Sequence, residues 1–119
     1  MEIAPYGQVL NRLRRKNPME LKWKMPQTPA GRHVAGQLLR SGTSPAPNYA
    51  EARGAESTKD FIHKLKIAFK ELNESNVWLE ISKRSQLLYE SDARPVFDEC
   101  IELQKIISSS IKTAEKKAS

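Results

Sequence analysis

Residues 30–75 read AGRHVAGQLLRSGTSPAPNYAEARGAESTKDFIHKLKIAFKELNES, and this stretch decides the fold class. It contains a helical pattern, then a polar corner with Pro45 and Pro47, then the start of a long amphipathic helix. Two prolines this close together cannot occupy a regular helix interior, because each removes a backbone hydrogen bond and crowds the preceding turn. We therefore predict a kinked helix over 28–53, either bent or made of two abutting helices.

Capping residues mark the ends of the predicted helices. Thr28 followed by Pro29 is typical of a helix start, because threonine accepts a hydrogen bond from a free amide and proline suits the first turn. Gly54 is suited to a helix end. Ser57, three residues before Asp60, resembles a capping box and predicts the start of the next helix.

The long helix, predicted over 58–88, carries an apolar stripe. Its apolar residues recur mainly at steps of three and four, which places them on one face that should pack against a core. The stripe consists of Phe61, Leu65, Ala68, Phe69, Leu72, Val77, Leu79 and Ile81, with Trp78 beside it. Such a helix needs a partner along most of its length, because helices gain most of their stability from packing.

A C-terminal helix is predicted over 93–115, with Pro95 in its first turn. Its near-heptad stripe consists of Val96, Phe97, Cys100, Leu103, Ile107, Ile111 and Ala114. The Lys- and Ser-rich segment after Lys112 is expected to fray. The connection from the long helix is short, which predicts that the two helices are antiparallel neighbours.

The N-terminal segment, 1–25, gives a weaker pattern. A short helix is predicted near 6–16. The segment 19–25 then alternates apolar and charged residues, which favours an extended or irregular connector. Residues 1–26 carry six basic and two acidic side chains, so this segment holds a charge of +4 out of the chain's +6.

The composition is that of one globular domain covering all 119 residues. No apolar run exceeds three residues, so no membrane association is expected, since a membrane-spanning helix needs about 20. The single cysteine, Cys100, cannot form an intrachain disulfide, and a cytoplasmic location is therefore expected.

The sequence offers little for catalysis. Its two histidines, His33 and His63, and Cys100 show no metal-ligand spacing, and no glycine-rich phosphate loop is present. We interpret the histidines as surface or packing residues and Cys100 as a small hydrophobe. We therefore predict no catalytic residues, no metal site, no cofactor and no enzymatic activity.

Two basic clusters are the best candidates for a ligand site. The first consists of Lys59, His63, Lys66 and Lys70, which recur at steps of three and four on the long helix; the second consists of Arg12, Arg14, Arg15 and Lys16. Regularly spaced cations can bind nucleic-acid phosphates. The alternative is that both clusters are solvated surfaces with no ligand.

Asn48, Glu51 and Arg53 form a polar group in the sequence NYAEAR. Asn48 and Glu51 share one helical face because they are three residues apart. One interpretation is a polar network at a subunit contact or a binding groove. The other is local: Asn48 stabilises the proline corner, and Glu51 pairs with Arg53 or with a neighbouring helix.

From about Pro26 to Lys117 the chain resembles the small bacterial four-helix-bundle proteins encoded within intervening sequences of 23S ribosomal RNA genes. The resemblance lies in the stretch 30–57, in DFIHKLKIAFKELNES with the following WLEI, and in ECIEL and SSSIKTAEKK. It implies an all-α antiparallel up-and-down bundle, no catalytic activity and a homopentameric ring. Some relatives act as accessory proteins of reverse transcriptases.

The chain departs from this family at its front, where relatives usually have a long apolar first helix. Here the corresponding stretch contains three prolines, counting Pro26. The first helix is therefore either short and irregular or lost altogether, which would leave three helices and an uncovered apolar face.

Two functional hypotheses follow. The first is a non-enzymatic oligomeric bundle that binds RNA or DNA, or assists a nucleic-acid enzyme such as a reverse transcriptase. The second is a protein-interaction scaffold that assembles through an exposed apolar helix face and has no nucleic-acid role.

Overall fold

The structure, a computed structural model, describes residues 6–15 and 18–118. Over these residues the chain is helical and contains no strand. The elements are α1 (Tyr6–Arg15), a 3-10 helix (Pro18–Lys24), α2 (Pro29–Thr43), α3 (Pro45–Arg53), α4 (Thr58–Arg84) and α5 (Glu90–Ala118). They form four arms: α1 with the 3-10 helix, α2 with α3, then α4, then α5. The predicted all-α antiparallel bundle of the four-helix type is confirmed.

The arms pack as an elongated bundle of 49 × 22 × 22 Å. α4 packs against α2, α3 and α5, whereas α1 packs against α3 and α5. α1 and α4 therefore occupy diagonally opposite corners. In the part of the chain that the structure describes, no helix combines the length and the apolar character needed to cross a membrane.

The second arm consists of two abutting helices, one of the two arrangements predicted. The Thr28 hydroxyl accepts a hydrogen bond from the Gly31 amide at 3.1 Å, which caps α2 as expected. The break falls at Ser44, because Pro45 and the proline two residues later prevent α2 from continuing. Gly54 follows the end of α3, and its amide donates to the Glu51 carbonyl at 3.1 Å.

α4 begins where its cap predicts: the Ser57 hydroxyl accepts from the Asp60 amide at 3.0 Å. Part of its predicted apolar stripe is wrong, because Val77 is 50% exposed and Ile81 is 38% exposed. Val77 is five residues beyond Leu72, which rotates it by about 140° away from the core at 100° per residue. Polar residues fill the inward positions instead, namely Ser75, Asn76 and Ser82.

α5 buries its predicted stripe, with Phe97 partly exposed. It begins at Glu90, earlier than the expected start at 93, and Pro95 lies inside it. The Tyr89 carbonyl accepts hydrogen bonds from the Asp92 and Ala93 amides, so the first turn forms before the proline is reached. α5 extends through Ala118, beyond the predicted end at 115.

The first arm is present, and it consists of two short helices, α1 and the 3-10 helix. α1 buries Val9 and Leu13, and the 3-10 helix buries Leu21. The connector predicted as extended or irregular is instead a regular 3-10 helix that begins at Pro18, a residue whose fixed φ suits a first turn. Burial does not follow the alternation of apolar and charged residues: Trp23, two residues after buried Leu21, is 83% exposed, and the buried residues Pro18, Leu21 and Met25 recur at steps of three and four.

Candidate nucleic-acid interface

The basic residues predicted on α4 lie on its outward face, opposite the core. They are Lys59, His63, Lys66 and Lys70, and all four are exposed. Lys59 stands in the first turn of α4, where the helix dipole disfavours a cation. Helix stability therefore does not account for a lysine at this position.

α5 brings a second set of lysines beside this face. The side-chain pairs Asn76–Gln104 and Lys66–Glu115 show that α4 and α5 run antiparallel in this register. Between their outward faces lies an open groove of about 450 Å³, whose lining includes Phe69, Ile101, Gln104, Lys105, Ser108 and Lys112. The groove has an apolar floor, and both lysines in its lining, Lys105 and Lys112, come from α5. Lys66 of α4 lies beside it and reaches Glu115 of α5 at 3.5 Å.

The positive charge of the molecule is concentrated here. The two neighbouring segments, 58–70 of α4 and 105–118 of α5, each carry four lysines and one carboxylate. Their combined formal charge is +6, which equals the net charge of the whole chain. This end of the α4–α5 pair is therefore strongly positive, while the remainder of the chain is neutral on balance.

The lysines around the groove are weakly engaged. Lys66 and Lys105 pair with exposed carboxylates of α5, each at 3.5 Å. Exposed pairs of this kind contribute only about 0–1 kcal/mol, so a phosphate can displace the carboxylate. Within the described residues, Lys70 and Lys112 have no hydrogen-bond or ion-pair partner. These two side chains are available to an anion without breaking any described contact.

The second predicted cluster, on α1, is separated from the first, because α1 and α4 lie at opposite corners. Arg12 makes a two-point contact with Glu99 of α5, at 2.9 Å from Nε and 2.6 Å from Nη2. The hydrogen bond to Glu99 raises the pKa of the Arg12 guanidinium. Arg12 therefore stays charged, and Glu99 occupies its hydrogen-bond donors. Arg14 and Arg15 are exposed, and Lys16 lies outside the described residues.

The predicted polar group takes separate partners. Asn48 donates to the Ser44 carbonyl at 3.0 Å and so stabilises the proline corner. Glu51 pairs with Lys64 of α4 at 3.0 Å, and this hydrogen bond raises the pKa of Lys64. These two side chains therefore serve the local structure and the α3–α4 contact. A role at a subunit contact stays a prediction.

Arg53 belongs to an aromatic contact between the first and second arms. Its guanidinium lies 4.7 Å from the centre of the Tyr6 ring. Tyr6 in turn stacks on buried Tyr49 with 5.5 Å between ring centres. Burial raises the pKa of Tyr49. Arg53 thus helps to join α1 to α3 and takes a different partner from Asn48 and Glu51.

Cys100 is buried in the core at 1% exposure, as expected for a small hydrophobe. Burial, with a smaller contribution from Glu99, raises the pKa of its thiol to about 12. A thiol with this pKa is almost entirely protonated near neutral pH, and the thiolate is the reactive form. Cys100 is therefore unsuited to act as a nucleophile in this fold.

We expect the native protein not to react with a disulfide-exchange reagent near pH 8, and to expose one reactive thiol on unfolding in guanidinium. The thiol pKa is higher in the folded protein than the value of about 8.5 in an unfolded chain, so Cys100 stabilises the fold below that pH. This contribution is lost as the pH rises towards about 12. Native labelling as fast as that of the unfolded chain would contradict this assignment.

The histidines lie apart from each other. His33 makes an edge-to-face contact with Trp78, with 5.8 Å between ring centres, and His63 is exposed on α4. Across 6–15 and 18–118, no group of three His, Cys, Asp or Glu side chains is placed to hold a metal ion.

The model of the 23S rRNA-intervening sequence protein family matches residues 17–109 of this chain, more than three-quarters of its length. The chain belongs to this family. A crystal structure from Bacteroides thetaiotaomicron, of a protein of unknown function from the S23 ribosomal protein family, superimposes with a TM-score of 0.82. It is 31% identical to this chain, and the alignment covers 90% of this chain and 97% of the other. None of the curated proteins compared with the chain matches it.

In this 23S rRNA-intervening sequence family protein, the sequence predicted the lysines of α4 that lie beside the groove but not the lysines of α5 that line it. Lys66 and Lys70 were predicted, whereas Lys105 and Lys112 were missed. A signal was available, because Lys105, Lys112 and Lys116 recur at steps of seven and four on one face of the last helix. The family match includes Lys105 and ends before Lys112.

Proposed function

We propose that this protein is a non-enzymatic, oligomeric helical bundle that binds RNA or DNA through the groove between α4 and α5. The observation that carries the proposal is the concentration of eight lysines and two carboxylates on two adjacent helical segments, 58–70 and 105–118. A nucleic-acid backbone is the ligand that such a surface attracts most strongly, because each neutralised phosphate releases condensed counterions.

The geometry of the lysines supports this proposal. Lys66 and Lys70 are about 6 Å apart along α4, and Lys105 and Lys112 about 10 Å apart along α5, at 1.5 Å per residue. The α5 pair lines the groove, and the α4 pair lies on the outward face of the neighbouring helix. Contacts of this kind fix a phosphate backbone in place without reading its sequence. The proposed role is accordingly that of a general nucleic-acid-binding protein, or of an accessory subunit for a nucleic-acid enzyme such as a reverse transcriptase.

The proposal is tested by reversing two exposed charges, in the double variant Lys70→Glu/Lys112→Glu. Neither side chain has a described partner, so the fold should be retained, which circular dichroism checks. We expect affinity for a labelled RNA or DNA to fall by at least about tenfold, and the slope of log affinity against log salt to fall by about 2, because two phosphate contacts are lost. Fluorescence anisotropy at several salt concentrations measures both quantities.

The matched control is Arg14→Glu/Arg15→Glu, which makes the same change in net charge at the opposite corner of the bundle. Its effect should be much smaller, since charges more than a Debye length away are screened. If this control loses binding and the α4–α5 variant does not, the site has been placed on the wrong corner. If the unaltered protein binds neither RNA nor DNA, the proposed function is wrong.

One observation favours the alternative, a protein-interaction scaffold. Val77 and Ile81 lie one helical turn apart on the outward face of α4 and are exposed, so they offer an apolar patch to a second copy or to a partner protein. Light scattering with and without RNA separates the two functions. Oligomers that gain mass on adding RNA fit our proposal, whereas oligomers that ignore RNA fit the scaffold.

A further inference from the structure

The groove between α4 and α5 is narrow. Adjacent packed helices have axes about 8–10 Å apart, and α4 and α5 are adjacent along their whole contact. A groove between their outward faces is thus one helix spacing wide. A duplex carries its phosphates on the outside of a much wider cylinder, so it could reach the lysines at the edges but not the floor.

The floor of the groove differs chemically from its edges. Phe69 of α4 and Ile101 of α5 supply partly buried apolar surface, and Ser108 and Ser109 supply hydroxyl groups. A surface that only attracts phosphates needs cations and no apolar floor. A surface for a single strand needs both, because unpaired bases seek apolar or aromatic contacts while their phosphates seek cations.

We infer that the ligand of this groove is a single strand of nucleic acid, whose bases face Phe69 and Ile101 and whose phosphates face the lysines of α4 and α5. The inference rests on the proposed function and specifies its ligand. The lysines and the serine hydroxyls of the groove can contact the phosphates of RNA and of DNA equally well. The discrimination that the groove makes is between unpaired and paired bases.

The first experiment compares one unstructured RNA strand of about 12 nucleotides, a length near the site size of single-strand binding folds, with the same strand in a blunt duplex. We expect the single strand to bind at least about tenfold more tightly at equal salt, because only unpaired bases reach the floor. Equal or tighter binding of the duplex would overturn the inference while leaving the proposed function intact. Failure of both ligands to bind would overturn both.

The second experiment changes the floor and leaves the lysines in place. Phe69→Leu keeps an apolar residue against the core but removes the aromatic face, whereas Phe69→Tyr retains the ring. We expect Phe69→Leu to weaken single-strand binding by at least about fivefold, with duplex binding unchanged and Phe69→Tyr close to the unaltered protein. Unchanged single-strand affinity in Phe69→Leu would show that the strand contacts only the lysines, and the inference would be wrong.

A third variant guards against a folding defect at Phe69, which packs against the core. Ser109 is exposed in the lining of the groove, so Ser109→Glu places a carboxylate there without disturbing packing, and Ser109→Gln is its neutral control of similar size. Only the Glu variant should weaken single-strand binding. Equal affinities of the two variants would contradict the inference. So would a competition assay in which polyglutamate displaces the labelled single strand as well as the unlabelled single strand does.

Discussion

Replacing Gly31 with alanine is expected to destabilise the bundle by about 3 kcal/mol, at the upper end of the range for overpacking a filled site. Gly31 is buried in the first turn of α2, where the chain from the first arm passes directly behind it. A Cβ atom at this position would lie well inside contact distance of the Pro26 carbonyl oxygen and 3.0 Å from its carbon. Backbone atoms cannot rotate away as a side chain can, so the turn between the first two arms must shift.

The matched control is Gly36→Ala, five residues further along the same helix. Gly36 is exposed, and a Cβ there meets nothing within 4 Å. Alanine is a better helix former than glycine, so this variant should be more stable by about 0.5–1 kcal/mol. Urea unfolding of the two variants should therefore move the midpoint in opposite directions. A gain in stability for both variants would show that the Pro26 carbonyl group lies farther from Gly31 than the structure places it.

The second large effect is expected at the buried amide pair between α4 and α5. Asn76 Nδ2 donates to Gln104 Oε1 at 3.1 Å, and both residues are buried. In the described structure Asn76 Oδ1 has no partner. Gln104→Leu would leave the whole Asn76 amide without a hydrogen bond in the core, at a cost of about 2 kcal/mol. Asn76→Leu should cost a similar amount, because it leaves the buried Gln104 Oε1 without its hydrogen-bond donor.

The double variant Asn76→Leu/Gln104→Leu should be more stable than either single variant, since replacing both partners of a buried polar pair by apolar groups removes the desolvation penalty. A double-mutant cycle in urea measures this coupling. Asn73→Leu is the control, because Asn73 is exposed and its contact with Gln104 is long, at 3.5 Å. Additive losses in the cycle would mean that the two amides do not depend on each other.

Local patterns predicted the parts of this fold that depend on local interactions. Ser57 and Thr28 are helix caps as expected, because capping involves a side chain and an amide three residues away. The 3-10 helix was missed because the alternation places Leu21 and Trp23 on one face, whereas the structure buries Leu21 and exposes Trp23. The early start of α5 was missed because Pro95 fits a first helical turn better than an interior position.

The site was predicted only in part, because it depends on contacts distant in sequence. The lysines of α4 follow from a repeat along one helix. The contribution of Lys112 depends on the register between α4 and α5, which no local pattern contains. Arg12 also depends on a distant contact: its partner Glu99 is 87 residues away in the sequence. Because Glu99 occupies its guanidinium, Arg12 is not available as an unpaired surface cation.

The position of the first arm has a consequence for how this architecture can vary. α1 touches α3 and α5 and stands diagonally across from α4, and the family match begins after it. Substitutions on the outer side of α1 are therefore insulated from the charged groove. If Val9 and Leu13 stay buried and Tyr6 and Arg12 keep their contacts, the outer side of α1 can be altered, and a tag or a fused domain can be attached there.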